Sequence, residues 1–253
     1  MRELVKLPSL SNVAAGSTAT LRIPLGKTYD MIMLVARKAD ADSMPATQMK
    51  NIEVNINGKP IQTYGDDGEL RRLNEFYGSG ALAAAGVTLG APAENVHLLR
   101  FDSPHLRTIP YRRVTSLGTA DVQSADIQAE IPSDVPASFT LEAYAIRREP
   151  SQMGAIVKVK RFPVSFATAG EQDIDSIPRG PRIAAIHLKD LSGADNVERV
   201  RVEADSRNIY DQPKDLARFV QSENLHDQRV PAANWNHIEW TGDLDYAAER
   251  FDA

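Results

Sequence analysis

The chain contains no cysteine, which excludes disulfides, thiolate metal sites and a cysteine nucleophile, and leaves the compartment open. No run approaches the roughly 18 consecutive apolar residues of a membrane-spanning helix. The first 16 residues lack the continuous apolar core and small-residue cleavage site of a signal peptide. Neither sign of charge dominates. The 29 Lys and Arg against 34 Asp and Glu give a formal charge of −5, which supplies no overall electrostatic reason to expect nucleic-acid binding. What is present is ordinary for a folded chain: 253 residues, 42% hydrophobic and 25% charged, enough for one large domain or two smaller ones with cores of their own.

Short strand-like runs dominate. Residues 20–24, 29–35, 51–56, 97–101, 127–131 and 138–146 are brief, rich in branched or aromatic side chains, and bounded by turn formers. In the clearest, Ile52, Val54 and Ile56 alternate with Glu53 and Asn55, one face for a core and one for water. Asn57-Gly58 follows and predicts a tight hairpin into Ile61. Helix signals are few. Leu70, Leu73 and Phe76 set one apolar stripe on a short helix that Gly78 closes.

The second half repeats this order. Val200 and Val202 alternate with Arg201 and Glu203, and Asp205-Ser206 stands where Asn57-Gly58 stood, 148 positions on. Asp215, Leu216, Arg218 and Phe219 then answer Glu69, Leu70, Arg72 and Leu73 at an offset of 146. A period of that size is a domain period, so an internal duplication is expected, with many short strands arguing for two sandwiches. The joint is placed at residues 148–154, between two strand-like runs, giving domains 1–150 and 151–253. After the second hairpin the chain offers one strand at 236–240 and the start of another at 250–253, so the second sandwich is expected to lack its last strand here.

Motifs for chemistry weigh lightly. Gly26-Lys27-Thr28 has the letters of a phosphate loop, but Leu21 occupies the position of its first glycine and a strand follows, so a turn is expected. No GxSxG, HExxH or HxH pattern occurs. His97 and His187 lie in strand-like runs, where a core role outweighs metal ligation; His105 sits in a polar turn. Acidic clusters fit no twelve-position calcium loop and are solvated loops by default, with Asp173 and Asp175, and Asp243 and Asp245, as candidate calcium ligands at a subunit contact. The doublets Arg71-Arg72, Arg112-Arg113 and Arg147-Arg148 lack interleaved aromatics and suit contacts with an acidic neighbour or with lipid headgroups. The amino-terminal arm, with Leu4, Val5, Leu7 and Leu10, is apolar enough to pack under its own domain or reach a neighbour.

Residues 12–16 (Asn-Val-Ala-Ala-Gly), 24–29 (Pro-Leu-Gly-Lys-Thr-Tyr), the hairpin 51–61 and the run 182–189 resemble, in that order, the P2-type major capsid proteins of membrane-containing marine bacteriophages. The resemblance runs from about residue 8 to the end of the chain. It implies an all-β double jelly roll: two eight-stranded sandwiches, with short helices in loops, standing roughly perpendicular to a capsid surface. It further implies a non-enzymatic coat protein forming a homotrimer of pseudo-sixfold outline in an icosahedral shell. Its implied partners are neighbouring capsid trimers, a penton or vertex protein, and an internal viral membrane or its proteins, with no nucleic acid. Calcium stabilising the shell is implied as well, without a ligand set. The relatives continue past the point where this chain stops. A carbohydrate-binding sandwich is the competing expectation; it needs exposed aromatics, with Trp235, Trp240 and Tyr246 available.

Overall fold

In a computed structural model, residues 2–39, 42–78, 95–103, 109–166, 168–175, 177, 183–223 and 229–240 are described. The chain divides into two compact units: unit 1 is residues 1–75 with 79–161, and unit 2 is residues 76–78 with 162–253.

Unit 1 carries the strands β1 (Glu3–Lys6), β2 (Thr18–Arg22), β3 (Thr28–Arg37), β4 (Lys50–Ile56), β5 (Lys59–Asp66), β6 (Asn95–Arg100), β7 (Leu117–Gly118), β8 (Ala125–Glu130) and β9 (Thr140–Arg148). They form two sheets, ordered β1-β9-β3-β6, with β7 on β3, and β2-β8-β4-β5. All named pairs are antiparallel, and nearly all neighbours come from distant parts of the chain, a jelly-roll-like sandwich. The inward faces follow the two-residue alternation. Leu21, Ile127 and Val54 lie in register across one sheet, and Leu99, Ile32 and Ala145 across the other, all buried.

Local sequence sets the joints. Asn57 and Gly58 both adopt positive φ, 51° and 73°, the type I′ geometry whose twist matches the flanking strands. The helix α1 (Asp67–Phe76) begins where the Asp66 carboxylate accepts from Glu69 N at 2.7 Å, while Glu69 Oε2 accepts from Gly65 N at 2.8 Å. That reciprocal cap satisfies donors the first helical turn leaves open. The Gly26-Lys27-Thr28 segment is the expected turn, with Gly26 at φ 82° between β2 and β3.

The amino-terminal arm packs within its own domain, the first of the two expected alternatives: it is β1, paired with β9 from Glu3↔Arg147 to Lys6↔Tyr144, and Leu7 is buried in the core. Between β6 and β8 stand a one-turn helix, α2 (Ile109–Arg113), and the strand β7. The strand-like run after residue 154 is not a strand. Only Val159 bridges, giving its N–H to Ile61 O and taking that of Thr63 on the edge of β5. One accepted and one donated bond hold the segment there, so it lies on the edge without extending the sheet.

Unit 2 contains β10 (Ala185–Lys189), β11 (Arg199–Ala204), β12 (Arg207–Pro213), α3 (Lys214–Glu223) and β13 (Trp235–Glu239). Among the described residues these strands make two pairs, β10 with β13 and β11 with β12. The hairpin β11–β12 turns through Asp205 and Ser206 at φ 48° and 61°, the same geometry as Asn57-Gly58 with no glycine to ease it. Its ladder slips between Val202 and Glu203, and that of β4–β5 between Val54 and Asn55. Both slips fall at the same offset as the turns. The duplicated order of hairpin and helix is therefore present in the backbone. The proposed start of a last strand at 250–253 lies outside the described residues.

Candidate functional site

Of the carboxylates expected to ligate calcium, Asp173 and Asp175 sit exposed on an irregular segment, and Asp243 and Asp245 lie outside the described residues. Two carboxylates supply far fewer than the six to eight oxygens calcium takes. Among the described residues no group of three or more His, Asp or Glu side chains is arranged to hold a metal.

The three described histidines, His97, His187 and His237, are packing groups, as expected for His97 and His187. In unit 1, His97 is buried on β6, with Nε2 3.0 Å from Gln48 Oε1 and Nδ1 3.7 Å from Asp67 Oδ2. Burial pushes the His97 pKa down to about 4 and raises that of Asp67, so both lean toward neutrality. In unit 2, His187 and His237 face each other across β10 and β13 with Nδ1 atoms 2.7 Å apart, so one ring donates and the other accepts. Phe76 stacks on His237 at 3.9 Å, Trp235 lies parallel to it at 5.6 Å, and the Tyr77 hydroxyl is 3.3 Å from His187 Nε2. Burial holds His187 near pKa 4 and His237 near 2. The arrangement is a neutral, stacked cluster that fills a core.

Trp235, one of the aromatics needed for a glycan groove, is buried in this stack, and Trp240 is only partly exposed. Tyr246 lies outside the described residues. The arginine doublets are largely occupied within the molecule. Arg147 pairs with Glu3 at 3.0 Å, Arg148 with Asp30 at 2.8 Å, and Arg72 with Glu75 at 2.7 Å. Asp30 stands at the slip between Tyr29 and Met31 and is buried; it also accepts from Ser116 Oγ at 2.8 Å.

Two exposed apolar faces escaped the sequence reading. α2 shows Ile109 and Tyr111 to solvent, with Val114 just beyond it and Arg112 and Arg113 between. α3 exposes Leu216, Phe219 and Val220, while Ala217 is its buried residue. Leu216 and Phe219 had been matched to the inward Leu70 and Leu73 of α1. The helices start at residues 67 and 214, so Ala217 takes the place of Leu70 and the stripe turns outward. The spacing of Leu216, Phe219 and Val220 is the signal that marks this face.

Comparison with known proteins supplies what geometry alone does not. Two family models match, the viral coat protein P2 N-terminal domain over residues 4–152 and the viral coat protein P2 C-terminal domain over residues 156–252. The chain belongs to the viral coat protein P2 family. It is 26% identical over 200 residues to the major capsid protein P2 of Pseudoalteromonas phage PM2, covering 78% of this chain and 69% of that protein. The crystal structure of the PM2 protein superimposes with a TM-score of 0.79 at 24% identity, over 100% of this chain and 88% of the other. The STIV major capsid protein (TM-score 0.59, 11% identity, 94% of this chain and 84% of the other) and the PBCV-1 capsid (0.57, 11%, 94% and 77%) share the fold. The P2-family chain is an all-β protein of jelly-roll-like domains, related to double jelly-roll capsid proteins. Its role is structural and shell-forming, and its place is the virion capsid. A coat protein works through its surfaces, which fits the neutral, packed state of the buried histidines.

Proposed function

We propose that this P2-family chain forms a homotrimer whose two sandwiches per copy give a threefold object a nearly sixfold outline. Such trimers tile an icosahedral shell over an internal membrane, meeting neighbouring trimers at their sides and a penton or vertex protein where the lattice turns. The supporting observation is the repeated frame. β4, β5 and α1 between β3 and β6 recur as β11, β12 and α3 between β10 and β13, with turn and ladder slip at matching places. Two like blocks in one chain let three copies present six similar edges around one axis, while closed threefold contacts limit the assembly to a discrete capsomer.

In this reading both halves are jelly rolls built on the eight-stranded plan, divided near residue 150. Calcium sits at a contact between copies, where a second chain adds oxygens to those of Asp173 and Asp175. Mass measurement in solution tests the assembly: a stable species of about three times the 27.8 kDa chain mass is expected, and a monomer at all concentrations overturns it. Melting with and without chelator tests the ion. A lowered Tm is expected on chelation, and an unchanged Tm removes calcium from the account.

A further inference from the structure

One end of unit 1 has the chemistry of a lipid-facing surface. The start of β1, the start of β3 and the ends of β6 and β9 share this end through the register Glu3↔Arg147, Thr28↔Arg148 and Met31↔Arg100. The hairpin tip at Asn57-Gly58 and the turn at 25–27 lie at the same end of the strands. Among the described residues cations outnumber carboxylates here, through Arg2, Lys27, Arg112, Arg113 and the Arg147-Arg148 pair among others; at the opposite strand ends carboxylates prevail. The sandwich is thus polarised along its strands.

At the basic end stands α2. It has no buried residue: Ile109 is 58% exposed, Tyr111 50% and the following Val114 46%. It is nonetheless held in place. Ser103 N donates to Arg112 O at 2.9 Å, Ser116 N to Arg113 O at 3.1 Å, and Ser116 Oγ to the Asp30 carboxylate that also takes Arg148. An anchored turn that presents aliphatic side chains and a tyrosine among arginines is suited to the boundary between headgroups and acyl chains. There the apolar tips enter, the phenol stays at headgroup level, and the guanidinium groups meet phosphates.

We propose that this face of unit 1, centred on Ile109, Tyr111, Arg113 and Val114, seats on an anionic lipid surface. The inference rests on the reading of a shell over a membrane and names the part of the chain that touches it. Charge selects lipid as the occupant: the net basic end complements acidic headgroups, and its apolar side chains are too few to bury a stable protein interface. One patch binds weakly, and the three of a trimer act together.

The experiment is flotation of the full-length protein with vesicles of phosphatidylcholine alone and of phosphatidylcholine with phosphatidylglycerol, its mass in solution being measured on the same samples. Binding is expected on the anionic vesicles only, falling as salt rises. Arg113→Glu changes the charge by two, each unit contributing on the order of a fivefold factor near an anionic surface, so roughly thirtyfold weaker binding per copy is expected. Ile109→Ser with Val114→Ser, both at exposed positions, should also weaken binding to anionic vesicles while leaving the melting temperature unchanged. A trimer that ignores anionic vesicles, or that binds them equally well with Arg113→Glu, overturns the lipid face and leaves the capsid reading standing. Binding to pure phosphatidylcholine with equal strength overturns the electrostatic basis. A monomer overturns the capsid reading itself.

Discussion

Lowering the pH should cost unit 1 stability through His97, and the amount can be worked from its surroundings. The ring is buried beside Gln48 and Asp67, and its pKa is pushed from the ordinary 6.5 to about 4, first by burial and then by the charge of Arg71. Between those two values the unfolded chain binds the proton that the folded one refuses. Stability therefore falls as pH drops below about 6.5 and stops falling through this group below about 4. At pH 5 the loss is about 2 kcal/mol, and the full difference is about 3 kcal/mol. Asp67 acts with the opposite sign, because its raised pKa makes the folded state take a proton first, so the whole-protein slope understates the histidine's share. Replacing His97 with Gln isolates it, since a glutamine amide can still donate to Gln48 and carries no titrating group. Hydrogen-exchange protection at Leu34 and Leu99, on the paired strands β3 and β6, reports unit 1 without interference from His187 and His237. The parent should lose about 2 kcal/mol of protection between pH 7 and pH 5, beyond whatever loss H97Q shows. Parallel pH profiles for parent and variant would refute the reasoning.

Two further substitutions probe packing in each unit. A Cβ on Gly118 would lie 2.1 Å from Gln152 O and 2.7 Å from Ser151 O, both backbone atoms that cannot swing aside. Gly118→Ala should therefore cost about 3 kcal/mol and lower the melting temperature by several degrees; an unchanged Tm would show that the Ser151–Gln152 segment yields freely. In unit 2, Arg229 and Glu239 form a buried two-bond pair at 2.7 and 3.0 Å. Arg229→Ala takes these two bonds from a buried carboxylate and should cost about 3 to 5 kcal/mol, whereas Arg229→Met with Glu239→Leu should recover most of it. Denaturant titration distinguishes the two, and equal losses would mean that volume matters there more than charge.

The parts of the fold legible in sequence are those decided within a few residues. The alternation of Ile52, Val54 and Ile56 and the positive-φ pair after it state the β4–β5 hairpin, and Leu70 with its neighbours states α1. β1 was not legible as a strand, because its partner is β9, some 140 positions away, and Leu4 and Lys6 on its outer face carry no periodic signal of burial. The same distance hid the joining of Asp30, Ser116 and Arg148, whose value lies in meeting, since none is unusual alone. α2 escaped for another reason. A single turn containing proline has neither the length for a periodic stripe nor a buried face to reveal one. The candidate calcium ligands came from acidic spacing alone, which says which carboxylates are near in sequence and nothing of which loops meet in space.

The two units also show what a duplicated sandwich is free to change. Backbone demands persist: the hairpin turn keeps positive φ, though Asn-Gly has become Asp-Ser, and the ladder slips at the same place. The third residue of the strand after the helix is a buried histidine in both, His97 and His237. Its cross-strand partner differs, Leu34 in one unit and His187 in the other. A neutral imidazole can accept either, because it packs like a hydrocarbon on its faces and needs only one or two partners at its edge. Register is held by main-chain hydrogen bonds and by which face is wet, so one-for-one exchanges within a face are cheap while a one-residue slip would turn every side chain over. The exposed face of the helix carries no such constraint. There the ion pair of Arg72 and Glu75 on α1 gives way to Leu216, Phe219 and Val220 on α3. In the trimer proposed above, two blocks with one frame and different outer chemistry would make successive edges of the ring unlike one another, a difference that would favour contacts between unlike units over contacts between like ones.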